Sequence, residues 1–194
     1  MSKAYIYFLF LIILTMNLLI NFDHGVMPAG AVLMKKDLQL NNSEFGWLGS
    51  VVFIGLTLGS IASSFIYQKF NSKLVLLFVL LANAISLTMF TFTKLYYLLI
   101  ISRFLTGFFQ VFISIYYPVW ADCFGTNESQ KTTWMSILLF SSSLGVLIGY
   151  IVTSQIIQNA SWKYAFYVQV LATVPIFMIV MFTPTKYLDL RTVD

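Results

Sequence analysis

Apolar residues run along this chain in long blocks; they neither alternate nor recur on a single helical face. The blocks cover about Ala4 to Phe22 (running on to Met34), Phe45 to Tyr67, Leu74 to Phe92, Leu95 to Ala121, Thr132 to Gln158 and Tyr164 to Pro184. About twenty helical residues cross a hydrocarbon core roughly 30 Å thick, and a spanning segment must satisfy its own backbone hydrogen bonds. Each block therefore predicts a transmembrane helix. The connections "KKDLQLNNSE", "QKFNSK", "TK", "DCFGTNESQK" and "QNASWK" are short and polar. The expected fold is all-α, six membrane-crossing helices with no soluble domain. Lys3 before an apolar run, with Ala29-Gly30-Ala31 beyond it, resembles a signal peptide. The run exceeds the roughly 7–15 apolar residues of such a segment, so it is read as a span.

The pattern repeats. Displacing the chain against itself by ninety residues gives about seventeen identities, among them Pro28 on Pro118, Ala31 on Ala121, Gly55 on Gly145, Gly59 on Gly149, Ser64 on Ser154, Gln68 on Gln158 and Lys73 on Lys163. Self-similarity at a fixed period marks a structural repeat. Each unit holds three helices, an odd number, so successive units enter the membrane from opposite sides and the repeat is inverted, 3+3. The expected units are residues 1–93 and 94–185, with 186–194 the start of a cytoplasmic linker or tail. The offset also aligns two small-residue ridges, Gly55/Gly59/Ser63 and Gly145/Gly149/Thr153, whose i, i+4, i+8 spacing lets helix backbones approach closely. They are expected to serve packing.

Composition narrows the function classes. Of 194 residues, 59% are hydrophobic and 9% charged, against roughly a quarter charged in soluble domains; mean hydropathy is +0.86. The formal charge of +4 is spread over loops, which gives no nucleic-acid footprint. Cys123 is the sole cysteine and His24 the sole histidine, so no disulfide within the chain and no Cys/His metal site is expected. No His/Glu or Ser/Lys constellation suggests an enzyme, and no cofactor is expected. Lys3, Lys69, Lys73, Lys131, Lys186 and Arg191 fall on one side of the membrane and Lys35, Lys36, Lys94 and Lys163 on the other, which places both termini inside. Asn41 and Asn159 head Asn-x-Ser sequons in the outer loops, a pattern common by chance.

Two charges interrupt the apolar blocks. Arg103 follows Lys94 by nine residues, so at about 1.5 Å per residue it lies roughly 13 Å below the outer face. Asp23 precedes Lys35 by twelve and lies roughly 18 Å below the same face if the first helix continues; the alternative is an interfacial helix end at Phe22. Ionisable residues at such depth face a partner or a water-filled cavity. Gln110 and Ser114 follow Arg103 within about twenty degrees of its direction, which predicts one polar stripe facing the bundle interior. Asn17, Asn21 and His24 share a face of the first helix, and Asp23 points about a hundred degrees away. Only one of His24 and Asp23 is expected to face the pocket fully. Tyr116, Tyr117 and Trp120 read equally as pocket wall or interfacial belt.

These residues resemble the major facilitator superfamily and, within it, the Spinster-like lipid transporters, over nearly the whole chain. "NFDHGVMPAG" is similar to the family's first-helix Asn-x-Asp-Arg stretch, with His24 in place of the arginine. "RFLTGFFQ" through Pro118 and Ala121-Asp122 is similar to its fourth-helix pattern: Arg103 and Gly107 match, Phe109 replaces a glycine and Gln110 a glutamate. "GYIVTS" and "SWKYAF" match its fifth helix and the start of its sixth. The resemblance implies the N-terminal half of a major facilitator fold and implicates Asp23 and Arg103 in proton coupling and substrate handling. His24, Gln110 and Ser114 would complete that site. An anionic solute that captured Arg103 would leave Asp23 readier to take a proton. In the signature loop after the second helix (Gln68, Lys69, Asn71, Lys73), Gln68 stands where the family carries an acid that contacts the other half.

Two functions follow as expectations. One is a secondary transporter half, proton-coupled, for an organic anion or lysolipid-like solute. The other is a transporter-derived subunit that no longer transports and packs into a larger membrane complex. The chain supplies six of the family's twelve helices, so a second transporter half, a second copy or other membrane subunits, besides lipid, are expected to cover the Arg103/Gln110/Ser114 stripe. The resemblance suggests an endolysosomal or plasma membrane; a mitochondrial inner membrane fits the subunit reading.

Overall fold

The computed structural model describes residues 3–190. Arg191 of the charge pattern and the last four residues of the expected tail lie outside that range. The described residues form α1 (Lys3–Ile20), α2 (Phe22–Leu38), α3 (Asn42–Lys69), α4 (Ser72–Phe92), α5 (Tyr96–Phe124), α6 (Glu128–Ile156), α7 (Lys163–Phe182) and a closing 3₁₀ turn (Thr185–Tyr187). Six of the spans they make are long and apolar enough to cross a membrane, with α1 and α2 joined into one span, Ala4–Leu38. The first span thus continues well past Phe22, and Asp23 lies near its middle instead of at a helix end.

Polar loop residues start the helices they precede. Asn41 accepts from the Glu44 backbone N–H at 2.8 Å while the Glu44 carboxylate takes the Asn41 N–H at 2.8 Å, a reciprocal cap that satisfies two otherwise orphaned donors. Asn71 and Asn127 cap α4 and α6 more simply, each side chain accepting one backbone N–H, from Lys73 and Gln130. Both loops were polar in sequence for this reason: the first turn of a helix needs acceptors.

The glycine ridges make the inverted repeat visible. Gly55 and Gly59 of α3 lie against the α5 backbone at Phe104 and Phe108, and Gly145 and Gly149 of α6 lie against Leu18 of α1 and Phe22 of α2. A Cβ at any of the four would overlap a backbone carbonyl. The second helix of each unit therefore packs on the first helix of the other, and exchanging the units maps this contact onto itself. The receiving helices carry their own glycines at the crossings, Gly107 against Val52 and Gly25 against Val146. The third helices, α4 and α7, pack together as well.

Two apolar clusters fill the bundle. One gathers Ile13, Leu76, Ile113, Trp120 and Trp134 toward the end that holds the chain termini. The other gathers Val26, Leu48, Phe90 and Phe166 toward the opposite end. Between them lies a layer of buried polar side chains, including Asn17, Asp23, Arg103, Gln110 and Gln169.

Tyr116, Tyr117 and Trp120 are core residues, all at most 2% exposed. Tyr116 Oη donates to the Leu188 carbonyl at 2.8 Å and Trp120 Nε1 to that of Tyr187 at 2.9 Å. With the Asp189 carboxylate accepting from the Ser72 N–H at 3.3 Å, the segment after α7 is drawn under the bundle. The described part of the expected tail is thus packed against the helices.

Candidate functional site

The site begins with an interruption. Between α1 and α2 the chain turns at Asn21, which has no helix-capping side-chain bond, and a broken helix leaves carbonyls needing donors. Three side chains supply them. Asn21 Nδ2 donates to the Asn17 carbonyl at 2.8 Å, Gln169 Nε2 of α7 donates to Leu19 at 2.8 Å, and Gln110 Nε2 of α5 donates to Ile20. In hydrocarbon an unsatisfied carbonyl costs several kcal/mol, so these glutamines hold the junction in place. Gln169 went unrecognised in the sequence, where its one signal was an isolated amide in the apolar run "YVQVLA".

Directly beyond the junction, the Arg103 guanidinium donates through Nη1 to Asp23 Oδ2 at 2.9 Å. The two side chains are 2% and 1% exposed. Arg103 also stands over the Phe90 ring, 5.5 Å from its centroid, where a cation gains from the ring quadrupole. The depth argument thus brought the right two charges together. Phe90 covers one side of the pair, while a cleft of about 610 Å³ opens beside it. Arg103, Asn21, His24, Ser50 and Phe53 are among its lining.

Of the two neighbours on α2, Asp23 is buried and His24 lines the cleft. His24 Nε2 lies 3.0 Å from Gln110 Nε2, and its ring stacks 6.2 Å from Phe53 at 25°. Both residues therefore reach α5, through different partners. As expected, only one of the two, His24, faces the cleft, while the long Arg103 and Gln110 side chains span the hundred degrees that separate them.

The stripe on α5 divides. Arg103 and Gln110 are buried, but Ser114 is exposed and lines a second cavity, about 320 Å³, with Asn17, Asn21, Tyr117, Pro118 and residues of α6. Eleven helical residues, roughly 16 Å of rise, already separate Ser114 from Arg103. Asn17 keeps the face it was predicted to share with Asn21, whose Nδ2 also donates to its Oδ1 at 3.2 Å. Asn17 Nδ2 donates to the Leu138 carbonyl at 2.6 Å and Ser141 Oγ at 2.7 Å, and its Oδ1 accepts from Ser142 Oγ at 3.2 Å, so it fastens α1 to α6.

The signature loop is built into the bundle. Asn71 caps α4, and Lys73 Nζ donates to the carbonyls of Met181 at 2.8 Å and Thr183 at 2.7 Å, which puts a cation at the C-terminal end of α7, where the helix dipole favours it. Gln68 and Lys69 are exposed beside it.

Comparison with known proteins agrees with this architecture. The family model described as the Major Facilitator Superfamily matches residues 6–192. The probable sphingolipid transporter spinster homolog 1 of Arabidopsis thaliana is 25% identical over 159 residues, covering 81% of this chain and 32% of that protein. The niacin transporter of Acinetobacter baylyi is 25% identical, covering 84% and 37%. A sphingosine-1-phosphate transporter of Xenopus tropicalis is 27% identical, covering 89% and 34%. The solved proton:xylose symporter bound to 6-bromo-6-deoxy-D-glucose superposes with a TM-score of 0.82 at 17% identity, over 95% of this chain and 46% of that one. The chain spans about a third of these curated relatives and about half of the solved structure.

Proposed function

We propose, from the premise that this chain belongs to the major facilitator superfamily, that it works as one half of a proton-coupled secondary transporter for an organic anion or lysolipid-like solute. The observation that carries the reading is the Asp23–Arg103 pair, buried between two apolar clusters at the edge of a cleft. A buried ion pair is weak evidence for stability, because hydrophobic replacements often serve as well. Intramembrane charges instead mark solute and proton pathways. A solute anion reaching the guanidinium competes with Asp23, and the released carboxylate then takes up a proton. The named solutes of the relatives, sphingolipid, sphingosine-1-phosphate and niacin, suit a site that pairs one cation with apolar walls.

The partner is a second transporter half or a second copy, seated on the face that α3 and α6 present. That face carries small and hydroxylated residues, Gly46, Ser50 and Thr57 on α3 and Thr132, Ser136 and Ser143 on α6, all exposed. A helix face of this kind admits close backbone approach. Alternating access then rocks the halves around a midplane site.

A second reading, a transport-inactive subunit of a larger membrane complex, draws on Gln68, which brings no acidic contact to the other half. One experiment separates them: solute uptake and native-gel assembly of Arg103→Ala beside the parent, expressed in its native membrane. Loss of uptake with assembly intact supports the transporter half. Loss of assembly, with no solute flux in the parent, supports the subunit.

A further inference from the structure

We propose that His24 is a second proton-receiving group of the cleft, beside Asp23, and that Gln110 is the positioning residue that ties its protonation to the hold of α5 on the α1–α2 junction. The inference starts from one nitrogen with two neighbours. Gln110 Nε2 donates to the Ile20 carbonyl and lies 3.0 Å from His24 Nε2. A carbonyl can only accept, so the amide must present its nitrogen here; turning it over would set two oxygens against each other. The second N–H of the same amide then points at the imidazole, and His24 Nε2 must accept it. In that arrangement the neutral ring carries its proton on Nδ1.

Protonation breaks this arrangement. Imidazolium carries N–H on both nitrogens, so Nε2–H would face N–H. Turning the Gln110 amide so that Oε1, which otherwise has no partner, accepts from the imidazolium takes its N–H off Ile20 and leaves a carbonyl of the broken helix unpaired. Proton uptake at His24 and release of α5 from the junction are then one event. The buried Asp23–Arg103 pair is the closed lock beside it, and the cleft-lining histidine is the group a proton meets first. The two departures from the family pattern, His24 for arginine and Gln110 for glutamate, are thus a contacting pair in which a neutral hydrogen bond stands where two opposite charges are expected.

The charged and titratable groups around the ring are few. Asp23 is its neighbour on α2 and is bonded to Arg103 of α5, which lines the same cleft. From α3 the cleft receives Gly46, Gly49, Ser50, Phe53 and Leu56, none of them titratable. From α6, Val146 and Tyr150 approach Gly25 with their backbones.

The test uses the full chain in lipid nanodiscs and needs no solute. His24 is the only histidine, and Ile20–Asn21 the only Ile–Asn peptide, in the sequence. Labelling histidine with ¹⁵N, and Ile carbonyl ¹³C with Asn ¹⁵N, therefore isolates the imidazole and the Ile20 carbonyl. At alkaline pH we expect the Nδ1–H tautomer. On acidification the Ile20 carbonyl shift should move with the imidazole titration, sharing its midpoint. In Gln110→Leu the tautomer should revert toward Nε2–H and the carbonyl should stop following the ring. An Nε2–H tautomer in the parent, a carbonyl indifferent to the ring's titration, or a carbonyl that still follows it in Gln110→Leu overturns the inference; the first two need no variant to fold. This deepens the proton-coupled reading, and its failure is distinguishable from that reading's, which rests on solute flux.

Discussion

Arg103 and Asp23, eighty residues apart in the chain, meet at 2.9 Å with both side chains almost wholly buried. The pair joins the first helix of one repeat to the first helix of the other. Its removal has an asymmetric effect, because a single replacement leaves one charge buried without a counter-ion. Asp23→Asn should cost roughly 3–5 kcal/mol, read as a lower melting temperature than the parent in the same detergent. The double replacement Asp23→Leu with Arg103→Met should recover much of that loss. Equal melting of Asp23→Asn and the parent would show that the pair does not hold the bundle.

Close helix approach makes a second expectation. Gly149→Val places side-chain atoms on the Phe22 backbone, which cannot yield as a flexible side chain does, so the loss should reach or exceed the upper end of the roughly 1–3 kcal/mol typical of overpacking. Gly46 is the control: a Cβ there meets nothing within 4 Å. Gly46→Ala should leave the isolated chain as stable or up to about 1 kcal/mol more stable. Detergent melting and size-exclusion profiles of the two variants check the contrast.

Lys73 offers a third. Its ammonium holds the carbonyls of Met181 and Thr183 at the end of α7. Lys73→Met keeps the length of the stem but drops both donors, for a loss of about 1–3 kcal/mol. Faster hydrogen exchange confined to the end of α7 is the expected signature, with Lys73→Arg intermediate.

Gln169 is the fourth. Gln169→Leu leaves the Leu19 carbonyl without its donor and should cost about 1–3 kcal/mol, whereas Gln169→Glu at low pH, with its carboxyl protonated and able to donate, should lose less. Melting curves at two pH values test both statements.

What the residues alone determined was the membrane architecture. Six apolar blocks long enough to span, polar caps such as Asn41 and Asn71, and the ninety-residue offset that aligns Gly55 with Gly145 are local or periodic properties, and each follows from chain composition and hydrocarbon thickness. The meeting of Asp23 and Arg103 was legible as well, since two charges at similar depth in a leaflet have strong reason to find each other. Tertiary structure decided the rest. Asn17 turned to α6, Ser114 left the stripe for a second cavity, and Tyr116 and Trp120 became core. Gln110 and Gln169 were claimed by carbonyls freed at Asn21. No spacing rule announces those partners, because they depend on where a helix breaks and which neighbour then comes within about 3 Å. A polar side chain in a dry interior bonds to whatever unpaired group lies nearest in space, and only the assembled bundle defines that neighbour.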